Sequence, residues 1–376
     1  MDAEVTFAPM QTLGIERKYL EGTTTRSLKD VIDSYTYFAN GDVLMAKITP
    51  CFENGKLGIA SDLVNGMGFG SSEFIVMRPR ETLSAGFLYY FLARDSFRDL
   101  GKKGMTGTAG QKRLTRAFLE NFPISIPPIS EQDRIVAILD QAFEAMGQLS
   151  LTANAQISAL RSLFDNYLAT RFAFLSEHFP CNELADVSTF ENGDRGTNYP
   201  SKACRISEGI PFINAGHLVD NVVDFREMDY IPRERFDLLS NGKIRSGDIL
   251  FCLRGSLGKF ASVQNLREGA IASSLIIIRP KAEILDTYLL SYFKSSLCAQ
   301  MIRAHQGGTA QPNLSAKNLG RFLIPVPGLK LQQSISDEVD LFYKECLALA
   351  GVYRNKLLSL QQLRQTLLHA AFSGNL

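Results

Sequence analysis

Few residue combinations in this 376-residue sequence could carry out covalent chemistry. "TPC" (49–51) puts Cys51 after a proline, and "DLVNGMGFG" (62–70) spaces glycines in the manner of a methyltransferase cofactor loop. The order argues against that use: the cysteine precedes the glycines, and the stretch reads more simply as a Gly-rich turn. No Asn-Pro-Pro-aromatic or Asp-Pro-Pro-Tyr run offers a site for amino-methyl transfer, and no Gly-x-x-x-x-Gly-Lys-Ser/Thr loop cradles phosphate. A nuclease cluster opening on Pro-Asp is also missing. His178, His217, His305 and His369 are isolated and read as structural or exposed. The six cysteines, at 51, 181, 204, 252, 298 and 346, form no C-x-x-C pair. That argues against a zinc ribbon and suits free thiols in a reducing cytoplasm. The expectation is a chain that is not itself an enzyme and binds no metal or cofactor.

The distribution of charge says more than the formal net charge of +1. Between Arg94 and Arg116 stand Arg94, Arg98, Lys102, Lys103, Lys112, Arg113 and Arg116, against only Asp95 and Asp99. Between Lys294 and Arg321 stand Lys294, Arg303, Lys317 and Arg321, with no acidic residue. Lys102, Lys103, Lys112, Arg113, Arg303 and Lys317 are therefore candidate phosphate contacts for double-stranded DNA. Base edges carry the sequence information, and candidate readers lie in polar loops. These are Lys47, Asn54 and Lys56 in "KITPCFENGK" (47–56), Arg195 and Asn198 in "ENGDRGTNYPS" (191–201), and Arg254 and Lys259 in "LRGSLGK" (253–259). Arginine suits guanine and asparagine suits adenine. A solvated helix face and plain hairpin turns are the competing explanations.

The two basic segments belong to an internal repeat. "NGDVLMAKI" (40–48) matches "SGDILFCLR" (246–254), and "SSEFIVMRP" (71–79) matches "ASSLIIIRP" (272–280). "GFLYYFLARDSF" (86–97) matches "TYLLSYFKSSLC" (287–298), "GTAGQKRL" (107–114) matches "GTAQPNL" (308–314), and "FPISIPPISEQDRIVAILD" (122–140) matches "FLIPVPGLKLQQSISDEVD" (322–340). The offset stays at roughly 200 to 206 residues and the order is kept, which means two copies of one unit. Within a copy, short β-branched runs such as Phe74–Met77 and Leu275–Ile278 read as strands. An aromatic helix follows, then a Gly-Thr-Ala loop and a strand ending in proline, at Pro127 and Pro128 in the first copy. Ser130 with Asp133 three residues on reads as a helix cap.

A long helix closes each copy. Ile135, Leu139, Met146, Leu149, Ile157 and Leu160 step by three and four in the first, with Ala142, Ala153, Phe164 and Leu168 in the same phase. Ile335, Val339, Phe342, Leu349, Leu357 and Leu360 do so in the second, with Cys346, Tyr353 and Leu368; only Arg364 breaks the stripe. Seams of this length predict helices packed as a coiled coil, with two ordinary core helices as the alternative. The expected fold is α/β (α+β), with two repeated domains separated by two long antiparallel helices in a pseudo-two-fold dumbbell. The boundaries are 1–128, 129–178, 179–328 and 329–376. Hydrophobic content of 45% and charged content of 21% fit a soluble protein, and neither a membrane-length apolar run nor a signal peptide is apparent.

Taken together, the two "IPPISEQDRIVAILD"/"IPVPGLKLQQSISDEVD" phrases, "GDVLMAKITPCFENGK", "GDILFCLRGSLGK", "GIPFINAGHL" (209–218), "GGTAQPNLS" (307–315) and the ending "LLHAAFSGNL" (367–376) resemble the specificity subunits of type I restriction–modification systems. The resemblance covers almost the whole chain. It implies two target-recognition domains, each reading one half of a split DNA site. It also implies that the helices hold these domains apart and bind modification subunits carrying S-adenosylmethionine, with restriction subunits adding ATP- and Mg-dependent cleavage. The recognition region of a fused restriction–methylation enzyme, and an interaction scaffold without DNA, are the rival readings. One departure stands out: "EVTFAPM" (4–10) matches "GIPFINA" (209–215), so the first copy lacks a counterpart of roughly 25 residues that open the second. Asp337 and Glu338, where the first copy has Ala137 and Ile138, predict unequal helices.

Overall fold

A computed structural model describes residues 3–108, 110–264, 266–307 and 312–376. The repeat's second Gly-Thr-Ala loop, at 308–310, lies outside the described residues, as does Ala109 of the first. The chain divides into two compact units, residues 1–154 with 353–376 and residues 155–352.

The first unit holds β1 (Glu4–Ala8), β2 (Thr24–Ser27), β3 (Thr36–Ala39), β4 (Val43–Ala46), β5 (Leu57–Ile59), β6 (Met67–Gly70) and β7 (Phe74–Met77). Helices α1 (Ala85–Leu92), α2 (Asp95–Lys103) and α3 (Arg116–Glu120) follow, and α4 (Ile129–His178) begins here. One sheet has the order β2-β1-β6-β3, with β1 and β6 parallel; the other has the order β5-β4-β7 and is antiparallel. Ser84 caps α1 by accepting from Phe87 N at 3.1 Å, and Thr115 caps α3. The glycines at 68 and 70 lie in β6, where a Cβ would press on the Phe38 ring and the Ala8 carbonyl. Their role is close packing.

The second unit holds β8 (Cys181–Glu183), α5 (Leu184–Val187), β9 (Ser188–Asn192), β10 (Ile210–Ile213), β11 (Leu218–Val219), β12 (Val222–Val223), β13 (Asp229–Ile231) and α6 (Arg233–Asp237). It continues through β14 (Ile249–Cys252), β15 (Phe260–Ser262), β16 (Ala270–Ile271), β17 (Leu275–Pro280), α7 (Asp286–Lys294), α8 (Ser296–His305), α9 (Ala316–Gly320), β18 (Leu323–Pro325) and α10 (Leu329–Phe372). Its β13-β10-β16 sheet repeats β2-β1-β6, again with one antiparallel and one parallel neighbour. Its six-stranded sheet, β11-β12-β15-β14-β17-β9, contains β15-β14-β17 where the first unit has β5-β4-β7.

The helices α4 and α10 are 50 and 44 residues long, or roughly 75 and 66 Å at 1.5 Å per residue. Each serves both units. In the first, Ile135, Leu139 and Phe143 of α4 join Leu368 and Ala371 of α10 under Val43, Met45, Phe87 and Phe91. In the second, Phe164, Leu168, Phe172 and Leu175 of α4 join Ile335, Val339 and Cys346 of α10 under Phe251, Ile276, Tyr288 and Tyr292. The start of one helix meets the end of the other in both units, which is the antiparallel coiled-coil arrangement. Compactness therefore divides the chain inside the helices, where sequence patterning places borders at their ends.

Several details differ from the expectations. Helix α4 begins at Ile129, so Ser130 stands inside its first turn and not at the cap. Residues 121–128 form no strand, although their counterparts include β18, which pairs with β8. Leu149 and Leu349 face outward, 42% and 44% exposed; half-buried Ser150 and buried Ala350 occupy the seam instead. Small residues there let the helices keep a regular spacing. Leu349→Gln should then change stability by less than about 0.5 kcal/mol. Ala350→Gln, which overpacks the seam, should cost about 1–3 kcal/mol in a urea titration. Arg364, the break in the stripe, is buried, stacks over Phe143 at 3.9 Å and reaches Glu16 at 3.5 Å. Glu338 accepts from Tyr167 Oη at 3.2 Å and pairs with Arg171 at 3.1 Å, so the acidic departure in the second helix has partners.

Candidate nucleic-acid interface

Three elements meet beside β4 in the first unit. The β4–β5 turn, residues 47–56, is pinned to the segment after α2: Thr49 N donates to Lys112 O at 2.9 Å and Leu114 N to Lys47 O at 2.8 Å. Thr106 and Arg113 exchange backbone bonds of 3.0 and 2.8 Å, closing a hairpin. Helix α2 forms the third wall, with the Arg98 guanidinium over Gly55, whose φ of +77° and lack of Cβ permit that approach. The second unit repeats the constellation. Leu314 N donates to Leu253 O at 2.9 Å, Gly307 and Asn313 exchange bonds of 2.8 and 2.9 Å, and Ile302 of α8 covers Gly258 in the 253–259 turn. Antiparallel hydrogen bonding thus brings the two basic segments of the sequence beside the polar turns in both copies.

The candidate residues then divide by what their side chains already hold. Asn54, Lys102, Lys103 and Lys112 in the first unit, and Arg254, Lys259, Arg303 and Lys317 in the second, are exposed. Lys102 pairs with Asp99 at 3.3 Å, a solvated contact worth little. Lys56 donates to Met10 O at 3.0 Å and Asn198 to Leu238 O at 3.2 Å, so both brace loops. Arg113 is fixed to Glu73, with Nη2 at 2.7 Å and Nε at 3.0 Å from the two carboxylate oxygens. That bond chiefly, against some burial, holds the Glu73 carboxyl below its ordinary range. Lys47 donates to Ser72 O at 2.8 Å and Arg195 to Ser273 O at 3.3 Å. Unrelated in sequence position, they serve equivalent turns, one before β7 and one before β17.

Sequence patterning places Arg98 in the basic segment without its role over Gly55, and it misses Asp194 altogether. Asp194 accepts from Gly196 N at 2.6 Å and Ser240 N at 2.9 Å, ordering the loop that presents Arg195. Those backbone bonds hold its carboxyl below the usual range. The recurring Gly-Asp and Arg-Pro pairs could have revealed a third feature. Asp42 binds Arg78 through two bonds of 2.7 Å, and Asp248 binds Arg279 at 2.8 and 3.1 Å, tying each central strand to its neighbour's end. Two histidines are structural and two exposed: His217 accepts from Asn214 N at 3.1 Å and His305 Nδ1 lies 3.0 Å from Met301 O, while His178 and His369 are exposed. Among the described residues, no group of three or more His, Cys, Asp or Glu is placed to hold a metal ion, and no helix is long and apolar enough to cross a membrane.

Comparisons with known proteins agree with this architecture. The curated relatives include the EcoAI and EcoEI type I restriction enzyme specificity subunits of Escherichia coli, 39% identical over 191 residues and 34% over 186. Those matches take in 47% and 49% of this chain but only 32% and 31% of the relatives, so they span about a third of those proteins' length. A putative type I specificity subunit of Haemophilus influenzae, S.HindORF215P, is 25% identical over 324 residues, covering 84% of this chain and 78% of its own. Among solved structures, a chain from work on complex assembly and conformational transition of the type I R-M system superposes with a TM-score of 0.83 at 21% identity. It covers 100% of this chain and 93% of that one. The HsdS subunit from Thermoanaerobacter tengcongensis gives 0.58 at 21%, covering 100% and 92%. These two likenesses concern the fold. The model of the type I restriction modification DNA specificity domain matches twice, over residues 3–159 and 179–358, once for each half of the repeat, and the chain belongs to that family.

Proposed function

We propose that this chain reads DNA sequence for a type I restriction–modification complex, each unit addressing one half of a split site. The observation that carries this is the recurrence of one constellation: a polar turn, a basic helix and a backbone-paired segment after it, held by equivalent bonds in both units. Lys102, Lys103, Lys112, Arg303 and Lys317 contact phosphates in this reading, while Asn54 and Arg254, on turns of unlike sequence, read bases. The chain itself is non-catalytic. Modification subunits bring S-adenosylmethionine, and a restriction subunit brings ATP and Mg. The helices supply their docking surface, where Leu151, Leu163, Leu341, Val352 and Leu358 are 53–66% exposed. The site of action is the cytoplasm.

Methylation mapping in cells carrying this chain with its cognate modification subunit should return a motif with two defined parts. No methylation by a verified complex would sink the proposal. On a methylatable duplex, Lys112→Glu should weaken binding about tenfold and lower the slope of log affinity against log salt by about one, without changing the motif.

A further inference from the structure

The two units keep one backbone frame and change the residues it displays. Ile48 pairs antiparallel with Arg113, and Arg113 with Thr106; the equivalent bridges join Arg254 to Asn313 and Asn313 to Gly307. The bonds Thr49 N to Lys112 O and Leu114 N to Lys47 O flank the first pair, and Leu314 N to Leu253 O flanks Arg254–Asn313. Directly opposed residues share a face, so each unit displays a row of three positions. Leu114 and Leu314 are 3% and 2% exposed, and alternation along the strand turns residues 113 and 313 outward. The frame repeats as far as Thr115 and Ser315, which cap the helices that follow. The row does not repeat: Ile48, Arg113 and Thr106 stand where the second unit has Arg254, Asn313 and Gly307. Glu73, which holds Arg113, is likewise answered by Ser274.

We infer that, within the half-site function proposed above and resting on it, this row is the base-reading element of each unit: Arg113 and Arg254 take guanines and Asn313 an adenine. Glu73 grips the Nε and Nη2 side of the Arg113 guanidinium, at 3.0 and 2.7 Å, and the side chain stays 44% exposed. On the Nη1 side its partner among the described residues is Gln111 O, at 3.3 Å. A guanidinium fixed along one side and open at its end fits guanine O6 and N7, an orientation that a phosphate contact does not need. Half-buried Ile48 beside it offers an apolar surface to a thymine methyl. In the second unit Arg254 and Asn313 are both exposed, and the asparagine amide matches adenine N6 and N7. Its Oδ1 lies 3.7 Å from where a Cβ on Gly307 would stand, so the glycine leaves room at the end of the row. Spacing agrees. Cβ atoms of opposed residues lie about 4.5–5.5 Å apart, nearer the ~3.4 Å base rise than the ~6.6 Å between same-face residues of one strand. Each row therefore reads adjacent pairs, a G·C beside an A·T.

The test uses the full chain with its cognate modification subunit, and duplexes in which 7-deazaguanine replaces each guanine of the mapped motif in turn. That analogue removes N7 and keeps base pairing. With the unaltered protein, one guanine in each half should respond, lowering the methylation rate at subsaturating DNA about tenfold. Arg113→Ala should erase the response in one half and Arg254→Ala in the other, each leaving the opposite half as it was. Asn313→Ala should relax the A·T pair next to the guanine that Arg254 reads. Glu73→Ala keeps the charge of Arg113 but frees its guanidinium. It should lower the preference for guanine over adenine at that one position at least tenfold. A row that only braces the fold or binds phosphate would slow methylation equally on all these duplexes. Indifference of the unaltered protein to every 7-deazaguanine would overturn the inference, whatever the variants do. Variants that weaken all positions alike, or that relax the same half, would also overturn it. Absent methylation by the unaltered complex would overturn the half-site function itself, and the row with it.

Discussion

Gln332→Ala is expected to destabilise the second unit by about 3 kcal/mol, read as a shift in the urea midpoint of tyrosine fluorescence. Gln332 stands in the first turn of α10 and is 0% exposed. Its Oε1 accepts from Leu285 N at 2.9 Å, and its Nε2 donates to Glu283 O at 2.9 Å and Pro327 O at 2.8 Å. One amide therefore joins the approach to α7, the turn before α10 and α10 itself. Deleting it leaves buried main-chain groups without partners, at about 1–3 kcal/mol for each that water cannot reach. Gln132 makes the same set: Ser84 N at 2.9 Å, Thr82 O at 2.8 Å and Pro127 O at 2.7 Å. Gln332→Met keeps the volume and removes the bonds, while Gln332→Glu keeps the acceptor and buries a charge. Both should cost as much as alanine. A methionine variant within about 1 kcal/mol of the parent would mean that packing, not the amide, locks the helix to its domain.

This lock also marks where sequence reading stops. The helices were legible because a 3.5-residue apolar period is local and long, and the repeat because matched phrases keep their order. A glutamine in a helix's first turn has the same signature whether it faces water or three carbonyl and amide groups, so Gln132 and Gln332 were invisible. Leu149 and Leu349 fit the stripe by type yet lie off the seam, since small Ser150 and Ala350 carry no hydrophobic signal. At the candidate interface, charge picks out the segments that backbone bonds bring beside the polar turns, but not which side chains are already engaged. Lys56, Asn198 and Arg113 are committed to Met10, Leu238 and Glu73, partners 46, 40 and 40 residues distant. The pairing of β9 with β17 in the second unit joins residues nearly a hundred positions apart, which no local signal carries.

Arg279→Leu should cost about 3–5 kcal/mol, because it strands the buried Asp248 carboxylate and unpairs the half-buried Glu191. Asp248 is 3% exposed and receives Arg279 Nε at 2.8 Å, and Glu191 takes the other side of the guanidinium. Burial chiefly pushes the Asp248 carboxyl above its ordinary range, with Arg279 opposing. Removing Arg279 removes that opposition, so the folded protein prefers a protonated Asp248 more strongly than the unfolded chain does. Stability of the variant must then rise as pH falls from 7 toward ~4, while the parent gains less. Glu191 responds the other way. Its own burial raises its pKa, but Arg279 and the amides of Lys243 and Gly242 together hold it below the usual range, so its contribution is lost on acidification. Both responses narrow the gap between variant and parent on acidification, so a second substitution is needed to separate them. Adding Asp248→Asn to Arg279→Leu should recover part of the loss at pH 7 and leave only the narrowing that Glu191 contributes. In the first unit, Arg78→Leu should cost less than half as much, because the Arg78 side chain is 60% exposed and water can reach Asp42 once it is gone. Equal penalties at the two sites would mean that the β9 strand, present in only one of them, contributes nothing to the pair.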